Sequence, residues 1–156
     1  MKACFTLLPL CLSLALACGD DAAPAEPDAT PMFDATPPSP SCLEAENHSD
    51  LAWIQSEILT PSCANFSVCH MGNASSAGNL NLEAGNSETN MVNVDSVRIT
   101  DFKLVVPGDP DNSYLMVILG DVEGPLTDGI GTMPFNNPTL CQQKQDAVRR
   151  WIGTLP

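Results

Sequence analysis

Basic residues are scarce in this chain. Its 156 residues include six Lys and Arg against 19 Asp and Glu, which gives a formal net charge of −13 at pH 7. Proteins that bind nucleic acid or anionic lipid headgroups carry a stripe or cluster of Lys and Arg. The sequence has neither, so we expect no nucleic-acid partner and no membrane contact through protein charge.

The short motifs of common catalytic sites are also missing. The sequence contains no G-x-S-x-G nucleophile elbow, no phosphate-binding P-loop and no H-E-x-x-H zinc motif. Asp109 and Asp111 follow Pro107 and Gly108, where carboxylates are typical of turns and caps. A calcium site at these carboxylates is a weaker interpretation. The sequence therefore predicts a protein that is not an enzyme.

No apolar run of the sequence is long enough to span a bilayer. The run over residues 5–17 follows Lys2 and has the length of the apolar part of a signal peptide. Residues 14–19 (LALACG) resemble a bacterial lipobox, which predicts a signal peptide over 1–17 and lipidation of Cys18. The alternative is plain cleavage after Ala15 or Ala17, which leaves Cys18 as a thiol. We expect an exported lipoprotein, anchored to a bacterial membrane and facing the periplasm or the cell surface.

An acidic, proline-rich segment follows the lipobox. Residues 19–41 contain five acidic residues, six prolines and no basic residue. Such a composition cannot bury enough apolar surface to offset the entropy lost on ordering. Proline keeps the chain extended and semi-rigid. We expect residues 18–41 to be a disordered tether that holds a domain away from the membrane.

The composition of residues 42–156 is that of one small globular domain, mainly α and with long loops. Apolar residues at helical spacing and the positions of caps and breakers indicate its regular elements. Helices are predicted over 50–59, 87–92, 112–119 and 140–153, and a short strand over 102–106.

Capping residues define the ends of the two main helices. Asp50 or Ser49 can cap the first helix, and Pro61 is predicted to end it. Thr139 and Gln142 form a capping-box pattern before the last helix. That helix is predicted to bury an apolar stripe made of Leu140, Ala147, Val148, Trp151 and Ile152. Its charged side chains are predicted to face water, namely Lys144, Asp146, Arg149 and Arg150.

Cysteines suggest how so small a domain is held together. With Cys18 lipidated and the signal removed, Cys42, Cys63, Cys69 and Cys141 remain. An even number in an exported chain predicts disulfides, and four cysteines allow three connectivities. A zinc site made of these cysteines and His70 is the weaker alternative in an oxidising compartment.

The segment 63–70 (CANFSVCH) ends like a haem attachment site. The usual motif is Cys-x-x-Cys-His, in which two thiols bond the ring and the histidine ligates iron. Here five residues separate Cys63 from Cys69. This longer spacing leaves two interpretations open, a covalent haem or a Cys63–Cys69 disulfide.

Short motifs follow one another in a recognisable order between residues 51 and 155. They are 58–63 (ILTPSC), 69–70 (CH), 78–82 (GNLNL), 106–110 (VPGDP), 113–115 (SYL), 133–134 (MP) and 151–152 (WI). This order resembles the small cytochrome c-like domains of exported bacterial proteins, particularly those of myxobacteria and planctomycetes. The resemblance implies a compact helical fold whose first and last helices pack across each other.

The resemblance also implies an electron-transfer function with one haem c. Cys63 and Cys69 would hold the haem, His70 and Met133 would ligate its iron, and a redox protein would be the partner. Met71, Met91 and Met116 are rival ligands. The alternative is a haem-free surface or interaction module in which Cys63 and Cys69 form a disulfide. A Cys42–Cys141 disulfide is expected under both interpretations.

Overall fold

The computed structural model describes residues 37–156. The predicted signal peptide, Cys18 and most of the predicted tether lie outside the described residues. The described part is small, mainly helical and without a sheet. Its helices are α1 (Pro40–Glu44), α2 (Leu51–Ile54), a π-helical segment (Gln55–Cys63), α3 (Ser87–Met91), α4 (Tyr114–Leu119) and α5 (Gln142–Thr154). Two 3₁₀ turns complete it, at Ala45–Asn47 and Ser75–Ala77. Within this range no helix has the length and apolarity to cross a membrane.

α2 begins where the sequence predicts, and the π-helical segment that continues it ends later than predicted. The Asp50 carboxylate accepts a hydrogen bond of 2.8 Å from the backbone N–H of Trp53, which confirms the predicted cap. The prediction that Pro61 ends the helix is wrong, because the π-helical segment continues through Pro61 to Cys63. In a π-helix the N–H of residue i bonds the carbonyl of residue i−5, so Pro61 leaves the carbonyl of Ser56 without that bond. The carbonyl of the next residue, Glu57, accepts a hydrogen bond of 2.8 Å from Nζ of Lys144 on α5.

α5 buries four of the five residues of its predicted apolar stripe, whereas Leu140 precedes the helix and is only partly buried. Ala147, Val148, Trp151 and Ile152 are all buried. The predicted capping box is wrong, since the helix begins after Cys141 and has no side-chain cap.

A disulfide between Cys42 and Cys141 joins α1 to the start of α5. This pairing is the one expected under both interpretations of the sequence. It connects the two ends of the domain across 99 residues of chain.

The sequence predicts that the basic side chains of α5 face water. In the structure they also bond distant parts of the chain. Arg150 donates hydrogen bonds to the carbonyls of Ala45 and His48. Arg149 pairs with Asp111 and Asp121. These pairs raise the pKa of Arg149, and the hydrogen bond with Asp111 contributes most to the rise. Because these acceptors lie far away in sequence, periodicity alone could not reveal them.

The predicted strand over 102–106 is also wrong. Lys103 makes isolated bridges with Asp95 and Ser113, and Val105 makes one with Val92. Asn93, with a φ of 60°, interrupts the partner segment between the two bridged positions. The segment therefore pairs with three neighbours, one residue at a time.

The core lies between α5, α4 and the helix formed by α2 and the π-helical segment. Ile54, Ile58, Met116, Val148 and Ile152 are fully buried there. α3 joins the same core through Met91. The loops that leave this core, between residues 64 and 86 and between 120 and 141, carry most of the residues discussed next.

Candidate functional site

The segment 63–70 forms a closed loop at the end of the π-helical segment. The backbone N–H of His70 donates a hydrogen bond of 3.0 Å to the carbonyl of Cys63, and that of Cys69 donates one of 2.9 Å to Phe66. Within the loop, Phe66 and Val68 are 62% and 70% exposed. Residues 65–68 therefore bulge towards solvent, whereas Ala64 is buried in the core.

Cys63 and Cys69 are not bonded to each other in the structure. Cys63 packs against the hydrophobic core. Burial raises the pKa of its thiol to about 12, and the neighbouring Cys69 adds to this rise. Cys63 is therefore a protonated, partly buried thiol.

His70 has one ring nitrogen engaged and one available. Its Nδ1 lies 3.2 Å from the carbonyl oxygen of Leu80, so Nδ1 carries the hydrogen and donates. The backbone N–H of Leu82 in turn donates a hydrogen bond of 2.8 Å to the His70 carbonyl. Burial lowers the pKa of His70, against the opposing effect of the bond to Leu80. A neutral imidazole held at Nδ1 by a backbone carbonyl leaves the Nε2 lone pair for a metal ion.

A cavity of about 390 Å³ opens beside His70. Pockets for small molecules and cofactors in proteins commonly measure roughly 300–1,000 Å³. Most side chains of the wall are apolar or small. They include Leu80, Val94, Leu104, Tyr114, Ile118, Ile130 and Met133.

Met133 is the one methionine among residues 37–156 that lines this cavity. Its backbone N–H donates a hydrogen bond of 2.6 Å to the carbonyl of Ile118, which ties the Met133 loop to α4. The rival ligands lie elsewhere. Met91 and Met116 are buried in the core, and Met71 packs against it.

Two wall residues on α4 were not identified as site residues from the sequence. Tyr114 and Ile118 lie four residues apart, which places them on one face of the helix. That spacing is the signal in the sequence that could have revealed them.

Arg98 is the one basic residue among the described lining residues. Its Nη2 donates a hydrogen bond of 2.9 Å to the carbonyl of Ser76. Asp95, also in the lining, pairs at 2.9 Å with Lys103. The mainly apolar cavity therefore has a charged edge at Asp95 and Arg98. Uncharged polar residues also line it, namely Ser76, Asn79, Asn90, Ser96 and Thr127.

These residues fit a haem in part. A large flat ring needs an apolar cavity, and its iron accepts a neutral imidazole and a thioether. His70 and Met133 carry these two groups and line the same cavity. Cys63 and Cys69 do not line it. Phe135, which follows the Met-Pro pair, is half exposed and lies outside the lining as well.

The zinc alternative finds no support in the part of the chain that the structure describes. Nowhere between residues 37 and 156 do three or more His, Cys, Asp or Glu side chains come together as metal ligands. The calcium interpretation of Asp109 and Asp111 fails the same search, since Asp109 bonds Asn112 and Asp111 pairs with Arg149.

Comparisons with known proteins give no relative from which a function could be transferred. No protein-family model matches the chain, and neither a curated protein nor a solved structure matches it.

Proposed function

We propose that residues 42–156 form a haem-binding electron-transfer domain with His70 and Met133 as the axial ligands of the iron. The observation that carries the proposal is that these two side chains line the same apolar cavity. The free Nε2 of His70 supports the role assigned to it. The order of sequence motifs around the cavity supports the same interpretation.

When bound, the haem supplies one-electron chemistry at its iron. The chain would contribute orientation and environment. The Leu80 carbonyl fixes the imidazole plane, and a hydrogen-bond acceptor at Nδ1 would also raise the basicity of Nε2 as a metal ligand. The Met133 thioether is a soft ligand that favours the reduced iron and so raises the reduction potential. The apolar wall excludes water from the ring.

We further propose that the domain works at a membrane surface. Lipid on Cys18 would anchor the chain, and residues 18–41 would space the domain from the bilayer. The partner would be a redox protein. Because the chain is acidic, a basic surface on that partner would accelerate encounter, and salt would slow it.

The proposal is tested by loading the full chain with haem and comparing its two histidines. The full chain is expressed with its own signal in an exporting host that carries a haem-maturation system, and purified protein is also mixed with free haemin. We expect a Soret band and a reversible redox transition. His70→Ala is expected to lose the spectrum of a six-coordinate iron, because it removes Nε2.

His48→Ala is the matched control. His48 is the only other histidine of the chain, and it stacks on Trp53 with ring centroids 4.5 Å apart. It does not line the cavity, so this variant is expected to keep the parent spectrum. A chain that stays colourless by both routes would overturn the haem proposal.

A haem-free interaction module is the alternative, and one observation favours it. Neither Cys63 nor Cys69 lines the cavity, whereas both would bond the ring in the usual haem attachment motif. This alternative predicts a colourless, folded chain whose stability does not respond to added haemin.

A further inference from the structure

We infer that the haem is held without thioether bonds, by coordination and by burial alone, so that Cys63 and Cys69 remain unmodified. This inference rests on the proposed function and specifies how the cofactor is retained. It departs from the covalent attachment that the sequence motif predicts. The inference is based on the position of the two cysteines, neither of which lines the cavity.

A thioether bond sets a strict requirement on position. The cysteine sulfur bonds directly to a carbon substituent of the ring, so the sulfur must lie in the wall of the cavity that holds the ring. His70 and Met133 are in that wall, whereas neither Cys63 nor Cys69 is. The ligands of the iron are thus in place, and the two attachment points are not.

Cys63 is held away from the cavity by the backbone on both sides of it. It is the last residue of the π-helical segment, and its side chain packs against the core. The next residue, Ala64, donates its N–H to the carbonyl of Leu59 at 2.8 Å. The carbonyl of Cys63 itself accepts from the His70 N–H. Swinging Cys63 into the cavity would break these bonds and expose part of the core.

Cys69 is held by a turn. Its N–H donates to Phe66, and the carbonyl of the preceding Val68 accepts a hydrogen bond of 2.9 Å from the Ser76 hydroxyl. The turn presents the apolar side chains of Phe66 and Val68 to solvent and not to the cavity. His70 lines the cavity, and Cys69, directly before it in the chain, does not.

The longer cysteine spacing has a physical explanation in this arrangement. Two residues between the cysteines allow both sulfurs to reach one edge of a ring, as in the usual motif. Five residues form a bulge whose ends are closed by the Cys63–His70 backbone bond. That bond positions His70 without any bond from sulfur to haem. The loop therefore serves as a support for the histidine ligand.

The experiment measures whether haem stays on the denatured chain. The full chain is loaded as above, in the presence of the maturation system that would form thioether bonds. Acidified acetone extraction, intact mass under denaturing conditions and the pyridine haemochrome spectrum are then recorded. We expect all haem to be extracted, a mass without a haem increment, and the haemochrome bands of a haem with intact vinyl groups.

A double variant provides a second, independent readout. Cys63→Ala with Cys69→Ala is expected to bind haemin with the parent Soret position and stoichiometry, because the ligands and the wall are unchanged. His70→Ala in the same background is expected to lose the six-coordinate spectrum. The Cys42–Cys141 disulfide is left intact in all of these chains, so that the fold is preserved.

Failure of this inference differs from failure of the proposed function. A denatured chain that carries the mass of one haem overturns the inference and leaves the electron-transfer proposal standing. Loss of haem binding in the double cysteine variant, with the fold retained, overturns it as well. A parent chain that binds no haem by either loading route overturns both.

Discussion

The Nζ atom of Lys144 donates a hydrogen bond of 2.8 Å to the backbone carbonyl of Glu57, four residues before Pro61. This carbonyl lies in the π-helical segment, where the N–H of residue 61 would bond Ser56 and not Glu57. The Lys144 bond is therefore a tertiary contact, and it fixes α5 against the helix that ends at Cys63.

Lys144→Met is expected to lower the free energy of unfolding by about 1 kcal/mol, the usual net value of one hydrogen bond. The methionine keeps the length and apolar stem of the side chain and removes the donor. Urea denaturation of parent and variant measures the change. An unchanged urea midpoint for Lys144→Met would contradict a stabilising role for this bond.

Loss of the Cys42–Cys141 disulfide is expected to destabilise the domain strongly. The bond closes 99 residues of chain. The chain-entropy model assigns about 4.7 kcal/mol to a loop of this size. Cys42→Ser with Cys141→Ser is therefore expected to unfold at much lower denaturant concentration. Cys63→Ala with Cys69→Ala is the control, since those cysteines are not bonded. An equal loss of stability in the control would contradict the stabilising role of the Cys42–Cys141 disulfide.

Structural features that depend on contacts between residues close together in the chain are predicted well from the sequence. The Asp50 cap depends on a backbone N–H three residues away, and the buried stripe of α5 depends on helical spacing alone. α3 is predicted over 87–92 and occupies Ser87–Met91 for the same reason.

Features that depend on contacts between residues far apart in the chain are not predicted from the sequence. The helix continues past Pro61 as a π-helical segment, and Lys144, which lies on another helix, bonds its Glu57 carbonyl. α5 begins after Cys141, whose position is fixed by the disulfide to Cys42, and not at the predicted capping box. The same limit applies to the site. His70 and Met133 are identified from motifs, but the Leu80 carbonyl and the charged edge at Arg98 depend on how the loops fold back.

Arg149 connects the two ends of α4 to α5 through unequal ion pairs. The Asp121 side chain is only 8% exposed and also accepts from Gln142, whereas the Asp111 side chain is 74% exposed. Arg149→Met leaves the Asp121 carboxylate poorly paired and is expected to cost about 2 kcal/mol. Asp111→Asn removes an exposed pair and is expected to cost less than about 1 kcal/mol. Thermal or urea unfolding measures the stability loss of each variant. A larger loss for Asp111→Asn than for Arg149→Met would contradict the assignment of Asp121 as the stronger partner.

The Asp50 cap is expected to make stability depend on acid pH. The backbone N–H of Trp53, and next His48, lower the pKa of Asp50 below its ordinary value of 3.8. A lowered pKa means that the carboxylate stabilises the fold above that ordinary value. The contribution is lost as pH falls through the folded pKa.

Asp50→Asn keeps a capping oxygen that does not titrate in this range. The variant is expected to lose less stability than the parent when pH falls below 3.8, and to differ from it by a constant amount near neutrality. Urea midpoints recorded across this range measure the difference. Parallel curves for the two chains in acid would contradict a titrating cap.

Met133→Leu tests the second axial ligand in the loaded chain. Leucine keeps the apolar volume and removes the thioether sulfur, so the reduction potential is expected to fall and the spectrum of the ferric protein to change. Met71→Leu is the matched control, because Met71 packs against the core and does not line the cavity. Redox titration and visible spectra of both variants supply the measurement. If Met71→Leu shifts the potential and Met133→Leu does not, the ligand assignment is wrong. Because we infer that coordination and burial alone retain the haem, Met133→Leu is also expected to release haem to a competing acceptor faster than the parent chain.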